Sequence, residues 1–370
     1  MKRILFYISG HGYGHATRSI EVVKALQELD ERVEVIFETD AAPWLFPLNL
    51  RGRYRLLQRQ TDVGVVQQDS YFADKLATLQ AFAAFYRTFE EHIREDRRLI
   101  RNRGVELVVG DIPPLAFQVA EAAGISAVAI ANFSWDWIYA PYAGDYPEYR
   151  WVVDAIRRAY GKCTLLLELP FAGDLSAFPV RRRIPAIARH ATRPAGEVRA
   201  ALGLSGDTPM ILVALRPADL KRVNLQPLMR LRDLAFVFFA PVPEAANFLS
   251  VAPDAFIFPN LVRAADIVVS KPGYGIVSEC LANRTPLLFA PRQHFGEYGI
   301  LEQHLLSTGT GYRLTVAEFF AGEWRTALET LLSRDISWPP IGTNGAQIAA
   351  REILKMLQGA GTAAEGTVTS

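Results

Sequence analysis

Two histidines and three glycines alternate in SGHGYGHATR at 9–18, namely Gly10, His11, Gly12, Gly14 and His15. An imidazole titrates near neutral pH and can take a proton from an attacking hydroxyl. Glycine has no Cβ, so a ligand or another backbone can come close. The spacing is not the G-x-G-x-x-G of dinucleotide sites. A tight turn with a capping histidine would explain one glycine but would leave His11 and His15 without a task. A second stretch, SKPGYGIVSE at 270–279, follows the same logic. Pro272 and Gly273 turn the chain, and Gly275 leaves a helix start open to a diphosphate. Glu279 lies one helical turn further on, where it could accept hydrogen bonds from both hydroxyls of a ribose. A capping or surface glutamate is the alternative.

Each stretch needs a strand before it and a helix after it. ILFYI at 4–8 is short, apolar and continuous, as a strand buried on both faces should be, and Ile20, Val23, Leu26 and Leu29 recur at helical spacing. Further strands are expected at 32–37, 54–57, 105–110 and 126–131, with one long amphipathic helix over 71–104. The proline- and arginine-dense segment 169–194 breaks the pattern. Beyond it, strands are expected at 210–215, 235–240, 255–258, 266–270 and 286–290. The class is therefore α/β, with two doubly wound Rossmann-like domains facing across a cleft. Ligands of such sheets bind at the carboxyl ends of the strands. The domains are expected at 1–172 and 173–358, with the final helix a candidate to pack back on the first, and 359–370 is expected to be disordered.

Composition narrows the function classes. A length of 370 residues suits two domains, and 50% hydrophobic residues supply two cores. A net charge of +1, with basic residues scattered, argues against a nucleic-acid partner. The triplet Arg181, Arg182 and Arg183 reads as a solvated turn. Cys163 and Cys280 lack metal-ligand spacing and sit in apolar surroundings, so buried thiols in a reducing cytoplasm are expected. The apolar run ending at Ser9 is too short for a signal peptide, and no stretch reaches membrane-span length.

The motifs SGHGYGHATRSIEVV, GDIPP at 110–114, NFSWDWIYAPY at 132–142, KPGYGIVSE and TNGAQIAA at 343–350 make the chain recognisable. It resembles the glycosyltransferases of GT-B architecture and, within them, the glycosyltransferase-like N-terminal region of plant L-arabinokinase. No residues remain for a sugar-kinase domain, so the region is expected to stand alone. The resemblance implies a cytoplasmic, metal-independent inverting enzyme of the hexosyl- or N-acetylhexosaminyl-transferase class. Its donor would be a nucleotide sugar, most plausibly UDP-linked and a substrate, with no cofactor. Its acceptor would be a small molecule, glycan or glycolipid, and peripheral membrane contact stays open.

Carried over residue by residue, the resemblance makes His15 the base, with Asp111 orienting it or touching the acceptor. The donor nucleotide would meet Gly12, Gly14, Arg216, Phe258, Gly273, Tyr274, Gly275, Ser278 and Glu279, and the donor sugar would meet Gln293 and Glu297. His11, Trp135 and Asp136 would face the acceptor, on an aromatic binding loop with Trp137, Tyr139 and Tyr142. No two aspartates are separated by a single residue, so the metal-holding D-x-D of the other large transferase fold is absent. One departure stands out. Where relatives carry a glycine pair after the first strand of the second domain, this chain has Leu215 and Arg216. Either Arg216 supplies a charge-assisted contact or donor binding is altered. Three functions follow: a transferase, a nucleotide-sugar hydrolase, or a non-catalytic nucleotide-sugar-binding protein.

Overall fold

Val, Ile, Leu and Phe dominate the short apolar runs, and these become the central strands of two parallel sheets, buried on both faces. The computed structural model describes residues 2–204, 207–252 and 255–365. In chain order the strands are β1 (Lys2–Ile8), β2 (Val33–Thr39), β3 (Tyr54–Gln58), β4 (Gln67–Asp69), β5 (Phe72–Ala73), β6 (Leu107–Asp111), β7 (Ser126–Ala131), β8 (Leu165–Glu168), β9 (Arg181–Arg183), β10 (Met210–Val213), β11 (Ala235–Phe238), β12 (Phe248–Ser250), β13 (Ile267–Val269), β14 (Leu287–Phe289) and β15 (Gly311–Arg313).

The chain divides into two units. One comprises residues 1–66, 74–187 and 342–370, and the other 67–73 and 188–341. The sequence reading put the division at 172/173, with the final helix a candidate to pack back on the first domain. The structure instead crosses at 187/188 and lends the hairpin β4–β5 to the second unit. The first unit's sheet runs β3-β2-β1-β6-β7-β8-β9 and the second's β12-β11-β10-β13-β14-β15, with every neighbouring pair parallel. Chain order therefore reverses beside β1 in the first sheet and beside β10 in the second. Those reversals are the switch points where open α/β sheets form their crevices.

The final helix, Gly345–Glu365, belongs to the first unit, where Ala346, Ala349, Ala350, Ile353 and Leu357 join the core around β1, β2 and the helix Tyr13–Leu29. The small alanines let it lie close, and Ile353 and Leu357 each contribute about 1.5–3 kcal/mol by leaving water. It continues through residues 359–365, which the sequence reading assigned to a disordered tail, while 366–370 lie outside the described residues.

Several other expectations change. The helix expected over 71–104 is two, Lys75–Tyr86 and Phe89–Arg103. Asp74 caps the first by accepting from Ala77 N at 2.9 Å, and Thr88 Oγ1 bonds back to Phe85 O at 2.8 Å in the break. Residues 255–258 form no strand; Pro259 instead lies in the first turn of the helix Phe258–Ala264, where its missing N–H costs nothing. The arginine triplet is the edge strand β9, not a turn, and Arg183 Nε reaches Glu168 Oε1 on β8 at 3.1 Å. Both cysteines are buried free thiols.

Candidate functional site

In the first unit, Ser9 N donates to Asp111 O at 2.9 Å, so β1 and β6 stay paired to the point where both chains leave the sheet. Gly12 then holds φ 83° and ψ −178°, a conformation essentially reserved for glycine. The helix Tyr13–Leu29 starts immediately after and returns its buried face to the strand ends. His15 Nδ1 lies 2.7 Å from Asp111 Oδ1. Arg18 grips the same carboxylate in a fork, with Nε 2.6 Å from Oδ2 and Nη2 bonded to Oδ1, while its Nη1 donates to Asn132 Oδ1 at 3.0 Å. Ser19 Oγ adds a bond to Oδ2 at 2.9 Å.

Burial alone would push the Asp111 carboxyl up, but the charge of Arg18 and then of His15 outweighs it and holds the group at about 2. Asp111 is therefore a carboxylate at neutral pH and accepts from Nδ1–H of His15. That fixes the tautomer, leaving Nε2 as the proton acceptor. Arg18 was not foreseen. Its spacing from His15 on one helix face was the available signal, but only the fold shows that both meet Asp111.

Around this pair, Asp62 is fully buried and accepts from Trp135 Nε1 at 2.8 Å and Ser9 Oγ at 3.0 Å. Burial raises its pKa to about 7 against those two bonds. His11 packs edge-on to Trp135 with ring centroids 6.1 Å apart. The stretch expected as an acceptor-binding loop is the helix Trp135–Asp145, and Trp135, Tyr139 and Tyr142 are core side chains. Asp136 is also buried, 3.1 Å from Arg157 Nε. Trp135 and Asp136, expected to face the acceptor, are thus both buried in this helix, with Asp136 Oδ2 held by Arg157 and Oδ1 buried without a hydrogen-bond partner among the described residues. The exposed aromatics near the glycine loop are Tyr13 and Trp44, paired edge-to-face at 5.5 Å. The sequence reading passed over both because neither has a periodic neighbour.

In the second unit, Gly273 caps the helix Tyr274–Asn283 with open space where a Cβ would stand. Tyr274 and Ser278 are buried on its inner face. Glu279 is buried too, but not free: Arg189 Nε donates to its Oε1 at 2.5 Å, and the Arg189 guanidinium lies 5.7 Å from the Phe258 ring centroid. Phe258, Arg189 and Glu279 form one cluster, of which Arg189 was unforeseen. Glu279 was expected to accept from both hydroxyls of a ribose; in the fold its Oε1 also accepts from Arg189.

Gln293 joins the hairpin through its backbone, its N donating to Tyr71 O at 2.7 Å, and its side chain is exposed. Glu297 Oε1 accepts from Arg292 Nη1 at 3.1 Å. Leu215 is buried, and Arg216 Nε lies 3.2 Å from Asp219 Oδ2. Among the described residues no group of three His, Cys, Asp or Glu side chains is placed to hold a metal, and no helix is long and apolar enough to cross a membrane.

The described chain superimposes on the spinosyn rhamnosyltransferase SpnG with a TM-score of 0.63 at 13% identity, covering 96% of each chain. The fold is that of the GT-B glycosyltransferases. In sequence, this GT-B chain is 31% identical over 356 residues to L-arabinokinase of Arabidopsis thaliana, a match that takes in 93% of the chain and spans only 33% of the plant protein. It is 24% identical over 295 residues to the UDP-N-acetylglucosamine--N-acetylmuramyl-(pentapeptide) pyrophosphoryl-undecaprenol N-acetylglucosamine transferase of Clavibacter sepedonicus, covering 74% of the chain and 75% of that protein. No protein-family model matches.

Proposed function

We propose that the protein is an inverting glycosyltransferase that moves a sugar from a UDP-linked donor to a hydroxyl acceptor. The observation that carries this reading is the His15–Asp111 contact of 2.7 Å at the first sheet's switch point. A hydroxyl attacking an anomeric carbon must lose its proton as the bond forms. His15 Nε2 takes that proton, and the Asp111 carboxylate stabilises the resulting imidazolium from the far side of the ring. The bond to the donor phosphate breaks in the same step, and its electron pair leaves with the diphosphate. The helix start at Gly273 and the cations beside it stabilise that charge. Phe258 and Glu279 hold the nucleoside, and the exposed pair Tyr13 and Trp44 gives the acceptor an apolar face.

The test is turnover of UDP-sugars across acceptors, alongside calorimetric UDP binding. His15→Gln should lower turnover by about 10²- to 10⁴-fold and leave UDP affinity within about twofold of the original. Turnover that survives His15→Gln would refute the assignment of the base. Release of free sugar with water alone would make the protein a hydrolase using the same base, and UDP binding without turnover of any donor would make it a binding protein. Chelation with EDTA should leave the rate unchanged; loss of activity restored by a divalent cation would refute metal independence.

A further inference from the structure

Three cations converge on the carboxyl ends of the second unit's central strands: Arg216 after β10, Lys271 after β13 and Arg292 after β14. Two of them are satisfied. Arg292 Nε donates to Ser70 O at 2.9 Å, its Nη1 donates to Glu297, and its guanidinium lies 3.4 Å from the Phe295 ring centroid. Arg216 pairs with Asp219, whose Oδ2 also accepts from Ser70 Oγ at 2.6 Å.

Lys271 differs. It is partly buried and has no hydrogen-bond or ion-pair partner among the described residues, although it stands immediately before the open helix start at Gly273. The charged groups around it are Arg292 and Arg216, which oppose its charge, and Asp219 and Glu297, which favour it. Each of those carboxylates already serves an arginine. Burial first, then the two guanidiniums, bring the Lys271 amine down to about 7, so near neutrality much of it carries no proton.

We propose that Lys271 takes up a proton when a nucleoside diphosphate binds at this strand-end cluster, so that donor and product binding are linked to pH. The inference rests on the second unit being the donor site. An incoming diphosphate brings negative charge to a place where both neighbouring carboxylates already serve arginines and Lys271 is free to take up a proton. The neutral amine of Lys271 accepts one proton from solvent through its lone pair and meets the anion as an ammonium, with no covalent bond made or broken in the ligand. Raising the pH works against that step and favours release of the diphosphate.

The experiment is calorimetric titration of the full chain with UDP, and separately with inorganic pyrophosphate, in non-phosphate buffers of small and large ionisation enthalpy. Near pH 8 the heat should report uptake of about one proton per UDP, and near pH 6 only a small fraction of one. Affinity should fall by up to about tenfold per pH unit above about 7. Lys271→Arg should keep binding while losing both the uptake and the slope, and Lys271→Met should lose the uptake and bind more weakly. Uptake with pyrophosphate would locate the effect on the diphosphate. UDP binding without buffer dependence, or the same dependence in both variants, would overturn this inference and leave the donor reading standing. Failure of UDP and pyrophosphate to bind at all would overturn both.

Discussion

Asp111 is the residue on which most of the first site depends. His15, Arg18 and Ser19 all end on its two oxygens. Removing its charge leaves the buried Arg18 guanidinium without its partner, which should cost about 3–5 kcal/mol. Asp111→Asn should therefore lower the melting temperature, and it should also reduce turnover by about 10²-fold or more, because the amide no longer enforces the reactive tautomer. Thermal denaturation and steady-state kinetics check this pair of effects, and an unchanged melting temperature would mean that Arg18 finds its stability elsewhere. The His15 partner was legible as a candidate in GDIPP. The fork from Arg18 was not, since nothing in a linear chain places residues 18 and 111 on facing elements.

At the scale of elements, the glycine loop and the final helix do different work. Gly12 sits at φ 83° with open space around its missing Cβ, so a methyl group there meets no atom but strains the backbone. Gly12→Ala should cost about 1–3 kcal/mol and shift the start of the helix that carries His15, so turnover should fall more than stability does. Leu357, on the last helix, is wholly covered by the first unit's core, and Leu357→Ala should cost about 2–5 kcal/mol. Urea titration separates the cases, since the core substitution should leave kcat intact below its unfolding transition. The helix–helix break at Thr88 shows why pattern reading fused two elements. The aromatic spacing continues through the break, and the stop is marked by hydrogen bonds from Thr88 Oγ1 and Thr88 N to Phe85 O.

For the whole molecule, buried acids shape stability against pH from both sides. Asp111 is held at about 2 in the fold against 3.8 unfolded, so its contribution is present above pH 4 and is lost as pH falls toward 2. Glu38 behaves in the opposite sense. Burial, then the nearby Asp96, push its carboxyl up to about 8 from 4.5, although Arg59 Nε donates to it at 2.8 Å, and its other oxygen has no partner. The folded protein thus holds a proton that the unfolded chain gives up. Stability from this group is full below about 4.5 and declines as pH rises through about 8. Melting temperatures across that range should fall in the parent and fall less in Glu38→Gln. A parallel decline in both would assign the effect to other groups, Asp62 first, since it is raised to about 7.

Local chemistry determined much by itself. Most apolar runs of four to eight residues become buried strands, Gly273 marks a helix start, and the alternating glycines with His15 point to a strand-end loop. Tertiary structure decided what depends on distant partners. Trp135 and Asp136 turn inward because a helix, not a loop, carries them. Glu279 shares its carboxylate with Arg189, ninety positions earlier in the chain. The hairpin at 67–73 joins the second unit because Ser70 and Tyr71 find Asp219, Arg292 and Gln293 there. Lys271 becomes chemically distinct because the fold buries it and brings two arginines that follow other strands up to it. Charge, burial and hydrogen-bond satisfaction are properties of neighbours in space, and the chain acquires those neighbours only by folding.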